Sequence, residues 1–236
     1  MTTPRLPTLT CRQVREIDRR AVDEYGLSGL VLMENAGRGL ADTLCALGIA
    51  GHVVVCCGKG NNAGDGFVLA RHLDLRRVEV RTVTWAETSE LRGDAAVNFR
   101  VLERCGVPIE VFGRSHDVQR FQKHLVGAGW IVDALLGTGA AGEPRPPLDA
   151  VIDQINDSGI PVLAVDLPSG LDADTGAAAR HTIRAAHTCT FVAAKPGLLS
   201  PHAKQYTGEV HVRDIGAPRK LVDEVLAQAA TRTSTC

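Results

Sequence analysis

The stretch His52-Val53-Val54-Val55-Cys56-Cys57-Gly58-Lys59-Gly60-Asn61-Asn62-Ala63-Gly64-Asp65-Gly66 decides the fold. Its apolar part does not alternate, which suits a strand buried on both faces. The glycine-rich part is a strand-to-helix turn whose backbone N–H groups can approach a phosphate. Working outward, further strands are expected at Val78–Thr84, Ile109–Phe112, Trp130–Leu135, Ile160–Val165, His187–Ala193 and Val210–Arg213. Apolar residues at three- and four-residue spacing place helices at Gly64–Leu75, Leu91–Cys105, Asp117–Val126 and Leu148–Asp157. Two more precede the first strand. One is opened by Thr10 with Gln13 three residues on, a capping-box pattern; the other runs from Ser28 to Leu47. This alternation predicts an α/β fold with a mostly parallel, doubly wound sheet and helices on both faces. Residues 1–236 read as one domain with a short disordered N-terminus and a helical tail from Ala217 that frays over Thr231–Cys236.

Composition narrows the function. The 236 residues are 44% hydrophobic and 22% charged, with 26 Lys+Arg against 27 Asp+Glu, a net charge of -1. No bulk attraction to nucleic acid or anionic membrane follows. No run approaches the roughly 18 apolar residues of a membrane helix, and Met1 to Thr10 lacks the apolar segment of a signal peptide. The seven Cys form no Cys-x-x-Cys pair, and Cys56 and Cys57 read as small buried hydrophobes. Reduced thiols in a cytoplasmic protein are expected. The eight His show no metal-ligand spacing, so no zinc site is expected.

In open parallel sheets ligands collect beyond the carboxyl ends of the strands, and four such ends carry chemistry. The quoted loop adds Asn61, Asn62 and Asp65 to its glycines, more polar groups than a plain phosphate cradle needs. It also satisfies a relaxed dinucleotide fingerprint, Gly58-x-Gly60-x-x-Ala63, with Glu79 near the expected acidic position. Asp133-Ala134-Leu135-Leu136-Gly137-Thr138-Gly139-Ala140-Ala141-Gly142-Glu143 places an acid at a strand end before a small-residue loop suited to an anion. Val165-Asp166-Leu167-Pro168-Ser169-Gly170-Leu171-Asp172 is a third polar end, and Ala194-Lys195-Pro196-Gly197 a fourth. Taken alone, each has a plain alternative: a tight turn, a solvated acid or, for Lys195, a surface cation. The Pro-Ser-Gly turn lacks the nucleophile-elbow pattern.

Together with Leu32-Met33-Glu34-Asn35-Ala36-Gly37, these motifs resemble, in order and spacing, the NAD(P)H-hydrate epimerase family, the N-terminal domain type of YjeF proteins. The resemblance runs from about Thr10 to Ile215. It implies a Rossmann-like three-layer αβα sandwich, a homodimer, and interconversion of the (R) and (S) forms of hydrated NADH and NADPH (NADHX and NADPHX). It implies a potassium ion held by Asn62, Asp133 and Ser169. Substrate would contact Asn61, Asn62, Ala63, Gly64 and Asp65, the loop Gly137, Thr138, Gly139, Ala140, Ala141, Gly142 and Glu143, and Asp166. Asp166 is the first choice for general acid/base. Lys195 is a candidate for the second proton transfer or for phosphate binding. Two departures stand out. Ala63 replaces the usual Gly, adding a methyl that could crowd the loop. The dehydratase domain fused to many members is absent, so that partner is expected as a separate protein. The alternatives are a non-catalytic nucleotide-binding or scaffold protein and an NAD(P)-dependent dehydrogenase.

Overall fold

The computed structural model describes residues 8–115, 117–140 and 142–233. Seven strands form one parallel sheet: β1 (His52–Cys57), β2 (Val80–Thr84), β3 (Ile109–Val111), β4 (Ala128–Ala134), β5 (Val162–Val165), β6 (His187–Phe191) and β7 (Glu209–Arg213), in the order β3-β2-β1-β4-β5-β6-β7. The order reverses between β1 and β4, the crevice where ligands bind in such sheets. Among the described residues eight α-helices accompany them: α1 (Cys11–Asp23), α2 (Gly29–Leu47), α3 (Asn61–Leu75), α4 (Gly93–Arg104), α5 (Val118–Leu125), α6 (Leu148–Asp157), the single turn α7 (Lys204–Thr207) and α8 (Arg219–Thr233).

Alternate residues of the strands point to opposite sides, and both sides are dry. Val53, Val55, Cys57, Val132 and Val165 pack with residues of α1, α2, α3, α4 and α8, including Ile17, Leu40, Phe67, Leu102 and Leu221. Val54, Cys56, Ile131 and Ala164 pack with α5 and α6 through Phe121, Leu125, Val151 and Ile152. The result is the expected three-layer sandwich. Burying one such aliphatic side chain is worth about 1.5–3 kcal/mol, and this double burial is why β1 carries no polar alternation.

Differences from expectation lie at element ends and have local causes. The strand expected from Val78 begins at Val80, because Arg77 takes a left-handed conformation (φ 60°) and Val78 N–H caps α3 at Leu73 O, 3.1 Å away. The helix expected from Gly64 begins at Asn61, so the two asparagines form its first turn. The strand expected to reach Ala193 stops at Phe191, because Val192 turns with φ 66°. Thr10 and Gln13 form the expected capping box. Of the segment expected to be disordered, residues 1–7 lie outside the described residues, whereas Leu9 N–H is bonded to Ala194 O at 3.0 Å. The tail helix extends to Thr233, and residues 234–236 lie outside the description. Cys11, Cys56, Cys57 and Cys189 are buried free thiols. No helix among the described residues is long and apolar enough to cross a membrane.

Candidate functional site

A cleft of about 1270 Å³ opens at the carboxyl ends of β1 and β4 and is roofed by α1 and α2. Two groups of side chains stand in and behind it, one below each of two adjacent strand ends.

The first is built on Asp133, which is fully buried at the end of β4. Its Oδ2 accepts from Ser169 N–H at 2.8 Å, and its Oδ1 accepts from Ser169 Oγ at 2.7 Å and from Leu135 N–H at 3.2 Å. Ser169 Oγ in turn accepts from Leu136 N–H at 2.9 Å, and Asn62 Nδ2 donates to Leu136 O at 3.0 Å. Asn62 from the first turn of α3, Asp133 from the end of β4 and Ser169 from the turn after β5 thus converge on Leu135-Leu136. No Lys, Arg or His among the described residues is hydrogen-bonded to Asp133. Burial pushes its carboxyl up to about 6 against the lowering effect of the Ser169 and Leu135 hydrogen bonds.

The second is built on Asp166 and Lys195. Lys195 is 1% exposed, so the surface-cation alternative is overturned. Its Nζ donates to Asp166 Oδ1 at 2.5 Å, to Thr190 Oγ1 at 2.7 Å and to Phe191 O at 3.4 Å. Thr190 Oγ1 also donates to Asp166 Oδ1 at 2.9 Å. With all three ammonium hydrogens directed at protein acceptors, Lys195 has none left for a phosphate. The backbone here is strained. Asp166 (φ 64°) and Val192 (φ 66°) sit at the ends of β5 and β6 in three-residue turns closed by Leu167 N–H to Val165 O at 2.8 Å and Ala193 N–H to Phe191 O at 2.7 Å. A positive φ at a β-branched residue is uncommon, and such strain gathers at functional sites.

Two further carboxyls face this pair. Asp65 retains some solvent contact, yet the atoms crowded round its carboxyl, and then the charges of Asp166 and Asp18, push it well above the usual range. Asp18 is raised to about 6, first by burial and then by Asp166, and its buried Oδ1 has no hydrogen-bond partner. Sequence reasoning missed Asp18. The available signal was its position: Val14, Ile17 and Ala21 form the buried stripe of α1, and Asp18 lies within that stripe, four residues after Val14.

The expected substrate-contact residues divide. Asn61, Asn62, Asp65, Gly137, Thr138, Gly139, Ala140, Gly142, Glu143 and Asp166 line the cleft. Ala63 and Gly64 do not: both are fully buried, and their N–H groups are bonded to Gly60 O within α3. Ala63 belongs to the core beneath α2 and α3, so its methyl does not crowd the loop. Gly64 is needed for packing, since a Cβ there would lie 2.6 Å from Met33 Sδ. Ala141 lies outside the described residues. Glu143 accepts from Arg180 N–H at 3.1 and 3.0 Å, and Thr138 O accepts from Arg15 at 2.9 Å, which ties this loop to the segment after β5 and to α1. Glu79, the acid of the dinucleotide fingerprint, precedes β2 at the opposite edge of the sheet, exposed and paired with Arg81. The fingerprint reading, and with it the dehydrogenase alternative, loses its support.

Residues 29–197 match the family described as YjeF-related protein N-terminus. The chain belongs to this family. It is 46% identical over 214 residues, 91% of this chain and 94% of its relative, to the NAD(P)H-hydrate epimerase of Pirellula staleyi. It is 43% identical to the NAD(P)H-hydrate epimerase of Rhodopirellula baltica, covering 92% of this chain and 87% of that one. The bifunctional NAD(P)H-hydrate repair enzyme Nnr of Moorella thermoacetica is 40% identical over 91% of this chain but only 41% of its own length. The crystal structure of the yeast protein ynu0 superposes with a TM-score of 0.78 over 93% of both chains at 24% identity, which speaks for the fold. The YjeF-family match begins at residue 29, so it omits α1, the helix that brings Asp18 to the cleft.

Proposed function

We propose that this YjeF-family protein interconverts the (R) and (S) hydrates of NADH and NADPH. Two features support the reading: the relatives carry this activity in their names, and the cleft holds an acid–base set in Asp166, Asp65 and Asp18. The single observation that carries it is the pairing of Asp166 with buried Lys195 beside two carboxyls, Asp65 and Asp18, whose surroundings favour the protonated form. A carboxyl that holds its proton can serve as the acid of a proton-transfer step.

The reacting carbon of the hydrate bears a ring nitrogen and a hydroxyl. Asp65, aided by Asp18, gives its proton to the hydroxyl. The C–O bond breaks as the nitrogen lone pair forms a C=N bond, and water leaves. Water then adds to the opposite face and yields its proton to Asp166, and proton exchange with solvent resets the carboxyls. Atoms and redox state balance, and a group placed for this transfer contributes about 10²–10⁴ in rate. Lys195 and Thr190 are positioning residues whose hydrogen bonds to Oδ1 hold the Asp166 carboxyl in place. The pyrophosphate lies across the start of α3, whose Gly60 cap uses no side chain, and the loop Gly137–Glu143. Basic residues Lys59, Arg114 and Arg145 stand at the rim.

Asn62, Asp133 and Ser169, with Leu136 O, offer an all-oxygen set with a single buried carboxylate and no cationic side chain on it. That chemistry fits a monovalent cation such as potassium, which prefers oxygens of modest field. When bound, the ion supplies a charge that offsets the burial of Asp133 and steadies both loops. The functional partner is an NAD(P)H-hydrate dehydratase that consumes one epimer. The test is exchange between separated hydrate epimers, followed by chromatography in potassium buffer without ATP. Exchange well above the buffer rate is expected, and a rate equal to buffer alone overturns the reading.

A further inference from the structure

At the opposite edge of the sheet, remote from the cleft, stands a cluster that spacing in the sequence conceals. Strands β6 and β7 pair in parallel with His187 opposite Glu209 and Cys189 opposite His211. Glu209 and His211 are two apart on one strand and so face the same side. The register therefore brings together residues more than twenty positions apart. His187 Nδ1 lies 3.0 Å from His211 Nε2 and 3.8 Å from Glu209 Oε2, and one ligand atom from each residue falls within 4.8 Å of the other two. The imidazoles are part-buried, with the ring of Trp130 5.9 Å from that of His187, while Glu209 stands exposed at the mouth.

We propose that His187, Glu209 and His211 form a binding site for a divalent cation of the zinc class, with the fourth position open to water. Tetrahedral zinc at about 2.0–2.1 Å from nitrogen and oxygen ligands sets those ligand atoms roughly 3.3–3.5 Å apart, and the observed 3.0 and 3.8 Å bracket that spacing. Two imidazoles and one carboxylate are a zinc-type set, whereas magnesium and calcium prefer oxygens. The contact of two ring nitrogens requires one of them to present a lone pair to a shared proton, and a cation can take that proton's place. Bound there, the cation ties edge strand β7 to β6. The chelate is a structural clamp, not part of the cleft chemistry.

The decisive experiment is titration of the metal-stripped full chain with cobalt(II) and then zinc, in buffer holding excess potassium and magnesium. One cobalt per chain is expected, with tetrahedral visible absorption, no sulfur-to-cobalt charge-transfer band, and displacement by zinc. Zinc should also raise the midpoint of thermal unfolding. Losing a ligand should weaken binding by at least about 100-fold, more than loss of an outer-shell partner costs. His211→Gln and His187→Gln should do so while still unfolding cooperatively; Glu209→Gln, on an exposed side chain, serves as a variant that cannot harm the core. Retention of binding in a Cys45→Ser/Cys105→Ser background excludes the exposed thiols. Absence of saturable binding, binding indifferent to all three ligand substitutions, or binding lost with the thiols overturns the proposal. None of these readouts depends on epimer exchange.

Discussion

Asp133 and Asp166 end neighbouring strands, four and five, at the same edge of the sheet, yet the fold treats them oppositely. Asp133 is sealed from solvent and receives only neutral donors, from Ser169 and Leu135. Asp166 keeps contact with the cleft, sits on strained backbone, and is answered by the buried ammonium of Lys195. The difference shows that an acid at a strand end is a blank position. Its neighbours decide whether it is sealed among neutral donors or paired with a buried lysine at the edge of a cleft.

The sharpest way to break that comparison is Asp166→Asn. The amide keeps the size but cannot carry the proton, and it leaves Lys195 buried without its counter-charge. Turnover at saturating hydrate should fall by about 10²–10⁴-fold, with ligand affinity falling less. Epimer exchange rates and equilibrium binding of the hydrate measure the two. Unchanged turnover at saturation would remove Asp166 as the base that takes the proton of the adding water.

Asp133→Asn probes the other member. Its new NH₂ must face a donor from Ser169 or Leu135, which should cost about 1–3 kcal/mol of stability. The potassium concentration for half-maximal activity should rise at least about tenfold, with turnover at saturating potassium changed less than in Asp166→Asn. Denaturant melts and potassium titrations report on these. Identical half-saturation in mutant and native protein would remove Asp133 from the cation site.

The smallest effect, and opposite in sign, is expected at Asp18. Its folded-state carboxyl is raised to about 6 from an ordinary 3.8. The folded protein therefore binds the proton more tightly than the unfolded chain, and native stability falls as pH rises from about 4 to about 6. Asp18→Asn escapes that loss. The variant should be more stable than the native protein above pH 6, by about 1–3 kcal/mol, and the gap should close below pH 4. Turnover should drop by less than in Asp166→Asn. Unfolding free energies across pH decide it: a gap independent of pH would place the Asp18 charge in water rather than in the cluster.

The sequence by itself determined the layout. Continuous apolar runs such as Val53–Cys57 need two faces of helix to cover them, so the doubly wound sheet was legible from hydrophobic patterning alone. The polar strand ends Asn61-Asn62, Asp133, Asp166-Ser169 and Lys195 were legible because each is local, a few residues of unusual chemistry beside a turn. Tertiary structure alone decided the pairings. Lys195 is a buried counter-ion because β5 and β6 are adjacent, not because of anything within Ala194-Lys195-Pro196-Gly197. Asp18 reaches the cleft because α1 packs over it, and one acid in a helical stripe does not announce its neighbours. His187 and His211 meet through strand register, which no spacing along the chain encodes. Local periodicity sets what each segment can become, whereas proton affinity and metal-binding capacity depend on burial and on charges a few ångströms away through space. Those distances exist only once the sheet has closed its order and the helices have covered it.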